Sequence, residues 1–180
     1  RQGRPAHAYL LVGSRGTGKT SCARLIAKAV NCLSPQDGNP CGTCEICRGI
    51  DSEDILDVVE IDAASNNGVD SIRDLREETN FLPNIAKYRV YIMDEAHMLS
   101  HGAVNALLKV LEEPPEHVIF ILATTEIQKM LPTIISRCQR FDFRRIPSVA
   151  IAGRLAYVAG EEGFLLEPEA AQLIGRLADG

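Results

Sequence analysis

Hydrophobic positions along the chain follow two alternating rhythms. Short apolar runs with β-branched residues, Ala8 to Val12, Leu56 to Asp62, Tyr88 to Asp94 and His117 to Ala123, have the length of buried strands. Gln139 to Phe143 predicts a fifth strand at the end of this series. Between the runs, apolar residues recur at helical spacing: Leu25, Ile26, Ala29 and Val30 within Ser21 to Val30, then Asp70 to Phe81, then Gly102 to Leu111 before Pro114-Pro115, then a short stretch from Leu131 to Ser136. Strand followed by helix, repeated, predicts an α/β fold, a parallel five-stranded sheet flanked by helices. After Pro147 the strands cease, and Val149 to Gly160 and Pro168 to Leu177 read as two helices. The organisation expected is therefore one α/β domain over residues 1–146 and the start of a helical second domain over 147–180. A punctuated segment, Asn31 to about Ile50, carries Pro35, Gly38, Pro40, Gly42 and Gly49 and reads as a small inserted module.

A chain of 180 residues supports one full core and part of a second. Hydrophobic residues at 46% and charged residues at 24% are ordinary for a globular protein, which excludes a disordered chain. No apolar run approaches the roughly 18 residues of a membrane span. A net charge of −5 argues against coating nucleic acid by bulk charge, and leaves open a local basic face or basic partner subunits. The opening Arg1-Gln2-Gly3-Arg4-Pro5 is not a secretory signal, so the cytoplasm is the expected compartment. Both ends, the second at Ala178-Asp179-Gly180, read as cut.

The most specific chemistry lies in Gly13-Ser14-Arg15-Gly16-Thr17-Gly18-Lys19-Thr20, which satisfies G-x-x-x-x-G-K-[ST] between a predicted strand and a predicted helix. In such a loop the glycines let backbone N–H groups wrap phosphate oxygens, and the next helix presents its N-terminus to the anion. Lys19 is then expected on the β- and γ-phosphates of ATP, Thr20 on Mg2+, and Ser21 beside them. Asp94 and Glu95 end a buried strand, at the carboxyl edge of an open sheet where ligands bind. Asp94 would complete the Mg2+ site, and Glu95 would orient or deprotonate water; His97 has no assigned part. Thr124-Thr125 closes the next strand, so a hydroxyl there could meet the γ-phosphate or the water beside Glu95, or simply cap the following turn. Thr125 is the preferred candidate.

Cys41-x2-Cys44-x2-Cys47 places three thiols in seven residues, and Cys32 lies nine positions earlier. Four thiolates suit a closed tetrahedral Zn2+ site that would hold together an insert too small for a core of its own. An iron–sulfur cluster also takes four cysteines, but the Cys-Pro that follows a ferredoxin run is missing. Cys22 and Cys138 have no such neighbours and are expected to be buried apolar residues.

The phosphate loop, Asp94-Glu95-Ala96-His97, the cysteine insert and Ser136-Arg137-Cys138, taken together, closely resemble the bacterial DNA polymerase III gamma/tau family. The likeness extends to His7-Ala8-Tyr9-Leu10, Ile61-Asp62-Ala63-Ala64-Ser65, Asn105-Ala106-Leu107-Leu108-Lys109 and Leu111-Glu112-Glu113-Pro114-Pro115-Glu116-His117. The resemblance implies a P-loop NTPase of the AAA+ kind and an ATPase subunit of the clamp loader, using ATP, Mg2+ and Zn2+. Its implied partners are the other subunits of a pentamer, the sliding clamp and primed template DNA, with the replicative helicase and polymerase reached through further C-terminal regions. It makes Thr125 the first sensor and Arg137 an arginine finger acting in trans on a neighbour's ATP. Without it, Arg137 reads as the partner of a surface carboxylate. The family's N-terminal segment on the adenine side and its second-sensor arginine fall outside residues 1–180, so weak nucleotide binding by this stretch alone is expected. Another AAA+ motor, such as a branch-migration helicase, would not be expected to carry the four-cysteine insert. A scaffold that binds nucleotide without turnover would not need Glu95 and Arg137.

Overall fold

The computed structural model describes residues 5–178, including all side chains there except those of 70 and 71. The reading of cut ends falls on residues 1–4 and 179–180 and lies outside the described residues, apart from Pro5 and Ala178. Five parallel strands, β1 (Ala8–Val12), β2 (Val58–Asp62), β3 (Arg89–Asp94), β4 (Val118–Thr124) and β5 (Gln139–Asp142), form one sheet in the order β2-β3-β4-β1-β5. Helices α1 (Lys19–Asn31), α3 (Val69–Glu78), α4 (His101–Glu112) and α5 (Pro132–Ile135) connect the strands, and α2 (Glu45–Asp51) lies within the cysteine-bearing insert.

Every residue of β4 is buried, as expected for a central strand of a parallel sheet covered on both faces. All four residues of the edge strand β5 are exposed. Tyr91 on β3 stacks on Phe120 of β4 with ring centroids 5.4 Å apart, and Leu10, Met93, Leu107 and Leu122 fill the core around them. Helix α4 starts where Ser100 Oγ accepts the Ala103 N–H at 3.3 Å, and α5 starts with Pro132 in its first turn, where the missing N–H has no helical use.

Two boundaries differ from those the apolar pattern predicts. The second strand begins at Val58 instead of Leu56, because Leu56 is exposed and the buried Asp57 carboxylate turns to the loop before β3. There it accepts the N–H groups of Asn84, Ile85 and Ala86 at 2.7, 2.8 and 2.9 Å. The helix predicted to reach Phe81 stops at Glu78, where Thr79 caps it. Helix α2 is an addition: Cys44 caps its start, and Ile46, Cys47 and Ile50 are its buried face.

The chain divides into two compact units. The first comprises the chain up to Val12 together with Lys19–Asp142, which includes the whole sheet and the insert. The second comprises Gly13–Gly18 and the chain from Phe143, with α6 (Ser148–Glu161) and α7 (Pro168–Leu177). These two helices approach closely at Gly175, where an added Cβ would stand 2.6 Å from the Ser148 carbonyl oxygen, so no larger residue fits without parting them.

Candidate functional site

In the first unit the carboxyl ends of the strands bring the predicted polar residues together. Asp62 and Asp94 are paired at the ends of β2 and β3, and Val12 and Thr124 at the ends of β1 and β4. The Thr20 hydroxyl, in the first turn of α1, donates to Asp94 Oδ2 at 2.7 Å. Asp94 Oδ1 accepts the Glu95 N–H at 2.9 Å, so both carboxylate oxygens are held. Glu95 itself has φ 47° and ψ 44°, a left-handed conformation uncommon for a residue with a side chain and one that gathers at functional sites. Its Oε2 receives the Thr125 hydroxyl at 2.9 Å and the Thr125 N–H at 3.3 Å. Lys19 is buried at the first position of α1, and Ser21 is exposed two residues later.

Thr124 and Thr125 separate in their contacts. Thr124 is fully buried; its oxygen accepts the Glu126 N–H at 3.1 Å and lies 3.0 Å from His97 Nδ1. Thr125 is the one that reaches Glu95. Arg137, just after α5, donates to the Thr133 carbonyl at 2.8 Å and to Glu112 Oε1 at 2.9 Å, an exposed ion pair.

In the second unit, Gly16 and Gly18 take φ of 80° and 91°, the left-handed region open to glycine, and the Thr17 hydroxyl donates to the Ser14 carbonyl at 2.8 Å. Arg15 and Gly16 help line a hollow of about 680 Å³ with Ile146, Ala150, Ile151, Arg154, Leu155 and Ala178. Its lining is mostly apolar, with the two cations Arg15 and Arg154.

The four cysteines of the insert converge: the sulfurs of Cys32, Cys41, Cys44 and Cys47 lie within 4.8 Å of one another. Bonds of about 2.3 Å to a tetrahedral Zn2+ place sulfurs about 3.8 Å apart, so this set fits with little adjustment. The backbone already favours thiolates. Cys32 Sγ accepts the Cys41 N–H at 3.2 Å, Cys41 Sγ the Cys44 N–H at 3.3 Å, and Cys44 Sγ the Cys47 N–H at 3.4 Å. The N–H groups of Thr43 and Cys44 bring the Cys41 thiol down to about 6, and those of Leu33 and Cys47 lower Cys44. Burial pushes the innermost thiol, Cys47, up to about 12. Cys22 and Cys138 are half-buried and outside the cluster, and burial raises the Cys138 thiol to about 11.

Two groups have no predicted part, His97 at the carboxyl edge of the sheet and Asp57 at the opposite edge, just before β2. His97 is buried between Thr124, Glu95 and Glu126, and its neighbour motif Asp94-Glu95 was the only local hint. Asp57 sits inside an apolar run, with partners 27 to 29 residues downstream, and no local pattern marks it.

A family model described as DNA polymerase III, delta subunit, matches residues 1–147. The chain belongs to that family of DNA polymerase III subunits. Within the family its relatives are tau and gamma/tau subunits, in line with the resemblance carried by the motifs. It is 58% identical to DNA polymerase III subunit tau of Bacillus subtilis over 97% of its length, and 48% identical to subunit tau of Escherichia coli over 99%. It is 47% identical to the gamma/tau subunit of Mycobacterium bovis over 99%. The chain spans 31%, 28% and 31% of the lengths of these relatives. Among solved structures, a DNA polymerase III gamma subunit-related protein from Thermotoga maritima superposes with a TM-score of 0.64 at 24% identity, covering 89% of this chain and 49% of that one. The RuvB Holliday junction branch migration motor of the same organism gives 0.61 at 17%, covering 94% and 48%. At such identities these structures show the fold alone, a parallel five-stranded sheet flanked by helices. Among the described residues no helix is long and apolar enough to cross a membrane.

Proposed function

We propose that this chain is the ATP-binding and ATP-hydrolysing part of a clamp-loader subunit, acting in the cytoplasm within a pentamer of DNA polymerase III subunits that opens a sliding clamp and places it on primed template DNA. The observation that carries the reading is the Thr20–Asp94 hydrogen bond, which joins residues 74 positions apart, with Glu95 oriented by Thr125 immediately beside it. Gly13 to Gly18 would wrap the phosphates, with Lys19 on the β- and γ-oxygens and Ser21 at their rim. Thr20 and Asp94 supply a hydroxyl and a carboxylate oxygen, hard donors suited to Mg2+, and the bond between them already holds both at one point. Bound there, the ion neutralises charge on the phosphates. Glu95 would align water and take its proton, and the Thr125 hydroxyl would keep that carboxylate in register as the first sensor.

Arg137 fits the finger role because its guanidinium is permanently charged and planar, and because its present partner is an exposed carboxylate. Such a pair contributes about 1 kcal/mol or less, so a phosphate presented by a neighbouring subunit would displace Glu112. Residues from 147 would form the lid domain. The four cysteines would hold a structural Zn2+, since all four positions are protein thiolates and none is left for substrate. Further C-terminal regions of the longer protein would reach the replicative helicase and the polymerase. No polymerase chemistry is assigned to this chain.

The deciding experiment replaces Glu95 with Gln in the full-length chain and assembles it with its partner subunits. ATP should still bind, measured with a fluorescent ATP analogue, while hydrolysis falls by about 100-fold or more. Hydrolysis at the wild-type rate would remove Glu95 from the mechanism.

A further inference from the structure

His97 follows Glu95 by two residues, in a short 3-10 turn over Ala96–Met98, with 5% of its side chain exposed. Both ring nitrogens face acidic groups. Nδ1 lies 3.0 Å from the Thr124 oxygen and 3.4 Å from Glu95 Oε2, while Nε2 lies 3.3 Å from Glu126 Oε1. Glu126 is fixed in turn, since Lys129 Nζ donates to the same oxygen at 2.8 Å and the Glu126 N–H donates to Thr124. With an N–H on each nitrogen, the imidazolium form would be pinned at Nε2 by a carboxylate anchored in the next loop and would face the Thr124 oxygen and Glu95 Oε2 with Nδ1.

We infer that His97 is a positioning residue for Glu95, and that Glu126 is its anchor. The inference rests on the reading of Glu95 as the residue that activates water. The Glu95 side chain is 30% exposed and has three rotatable bonds, so a carboxylate free to turn would spend much of its time in solvent. Thr125 and His97 reach the same oxygen, Oε2, one from β4 and the other from the turn after β3. Contacts from two elements fix the direction of the carboxylate, where one would leave it free to swing. An imidazole that only filled space would gain nothing from acids at both nitrogens, and burying its polar atoms would carry a cost that an apolar residue avoids. Misalignment of a reacting group by about 1 Å is enough to lower a rate about 100-fold, so an orienting contact has a measurable effect even though it never meets substrate.

The ring separates cleanly by side-chain substitution. The amide of His97→Asn stands near Nδ1 and can still meet Glu95 and Thr124; the amide of His97→Gln stands near Nε2 and can meet only Glu126. In the full-length chain assembled with its partner subunits, steady-state ATP hydrolysis is expected to fall about 30-fold in kcat for His97→Gln with KM within about twofold, and only about threefold for His97→Asn. Glu126→Gln, at a partly exposed position, should lower kcat by about three- to fivefold with ATP-analogue binding unchanged. Wild-type kcat in His97→Gln, or equal losses in the two His97 variants, would overturn the inference, the second by marking a merely structural role. Should His97→Gln melt before assay, His97→Asn and Glu126→Gln still decide: a loss in His97→Asn as deep as in Glu95→Gln, or no loss in Glu126→Gln, overturns it. A wild-type assembly that hydrolyses no ATP overturns the reading of Glu95 itself, which these variant ratios keep separate.

Discussion

The edge of the sheet at Thr20, Asp94, Glu95 and Thr125 and the insert at Cys32 to Cys47 are both clusters of polar groups, yet they are held in opposite ways. At the sheet edge each group satisfies another: Thr20 donates to Asp94, Asp94 accepts from the Glu95 backbone, and Thr125 donates to Glu95. Those contacts hang from β3 and β4, whose interiors are buried, so the protein scaffold fixes the site before any ligand arrives. The insert has a seven-residue helix and few buried apolar groups, and its sulfurs accept weak backbone N–H contacts, among them three of 3.2 to 3.4 Å. One region is organised by a core, and the other, on the proposed reading, by a metal ion that its four thiolates could hold. A site meant to release its ligand benefits from the first arrangement, and a module meant to stay shut benefits from the second.

The contrast breaks most sharply at the chemistry. Arg137→Ala in the assembled complex is expected to lower hydrolysis by about 1,000-fold while leaving ATP-analogue binding and the melting temperature of the chain nearly unchanged, because its partner in this chain is only an exposed carboxylate. An equal loss of stability would instead tie Arg137 to the fold. Next in size is the insert. Elemental analysis should find about one zinc per chain, and chelation or Cys47→Ala should lower the melting temperature by roughly 6–12 °C, corresponding to about 3 kcal/mol. The sheet edge should be indifferent to the chelator at matched Mg2+, and iron in place of zinc would overturn the structural-zinc assignment.

A smaller effect is expected at Asp57, which belongs to neither cluster. Burial works against its charge, but the N–H groups of Ile85, Ala86 and Asn84, with Arg89 nearby, lower its carboxyl below the ordinary value of 3.8. Its contribution to stability is therefore complete above about pH 4 and is lost as pH falls through the depressed folded value. Asp57→Ala should cost roughly 2–3 kcal/mol at neutral pH and remove that part of the acid sensitivity, as read by urea unfolding at pH 7 and pH 3. Smallest of all, Glu112→Gln should change stability by less than about 1 kcal/mol, since its pair with Arg137 is solvent-exposed.

The same division explains how much was readable beforehand. The sheet and the longer helices are written in local patterns, and all five strands fall within two residues of the predicted spans. The convergence of Cys32, Cys41, Cys44 and Cys47 was legible because cysteines that could hold a metal recur at a set spacing. Thr125 was open between a cap and a partner of Glu95, because the contact that separates the two readings joins residues 30 positions apart. His97 and Asp57 were illegible for the same reason, with deciding partners 27 to 29 positions away that leave no local trace. Helix α2 escaped notice because seven residues are too few to show a period, and its start is set by the thiol of Cys44 in a place usually taken by an oxygen.

The strand order also fixes a timetable for synthesis. Of the five strands described, β1 is made first, and it lies between β4 and β5, which are made last. Its apolar residues Leu10 and Leu11 therefore wait about 110 residues for their β4 neighbours and about 130 for those on β5, on the order of ten seconds at about 5–20 residues per second. The nascent sheet can pair β2 with β3 early, but it cannot close over its first strand until Asp142 has emerged. During that interval the apolar segment from Ala8 to Val12 is open to a chaperone's cover.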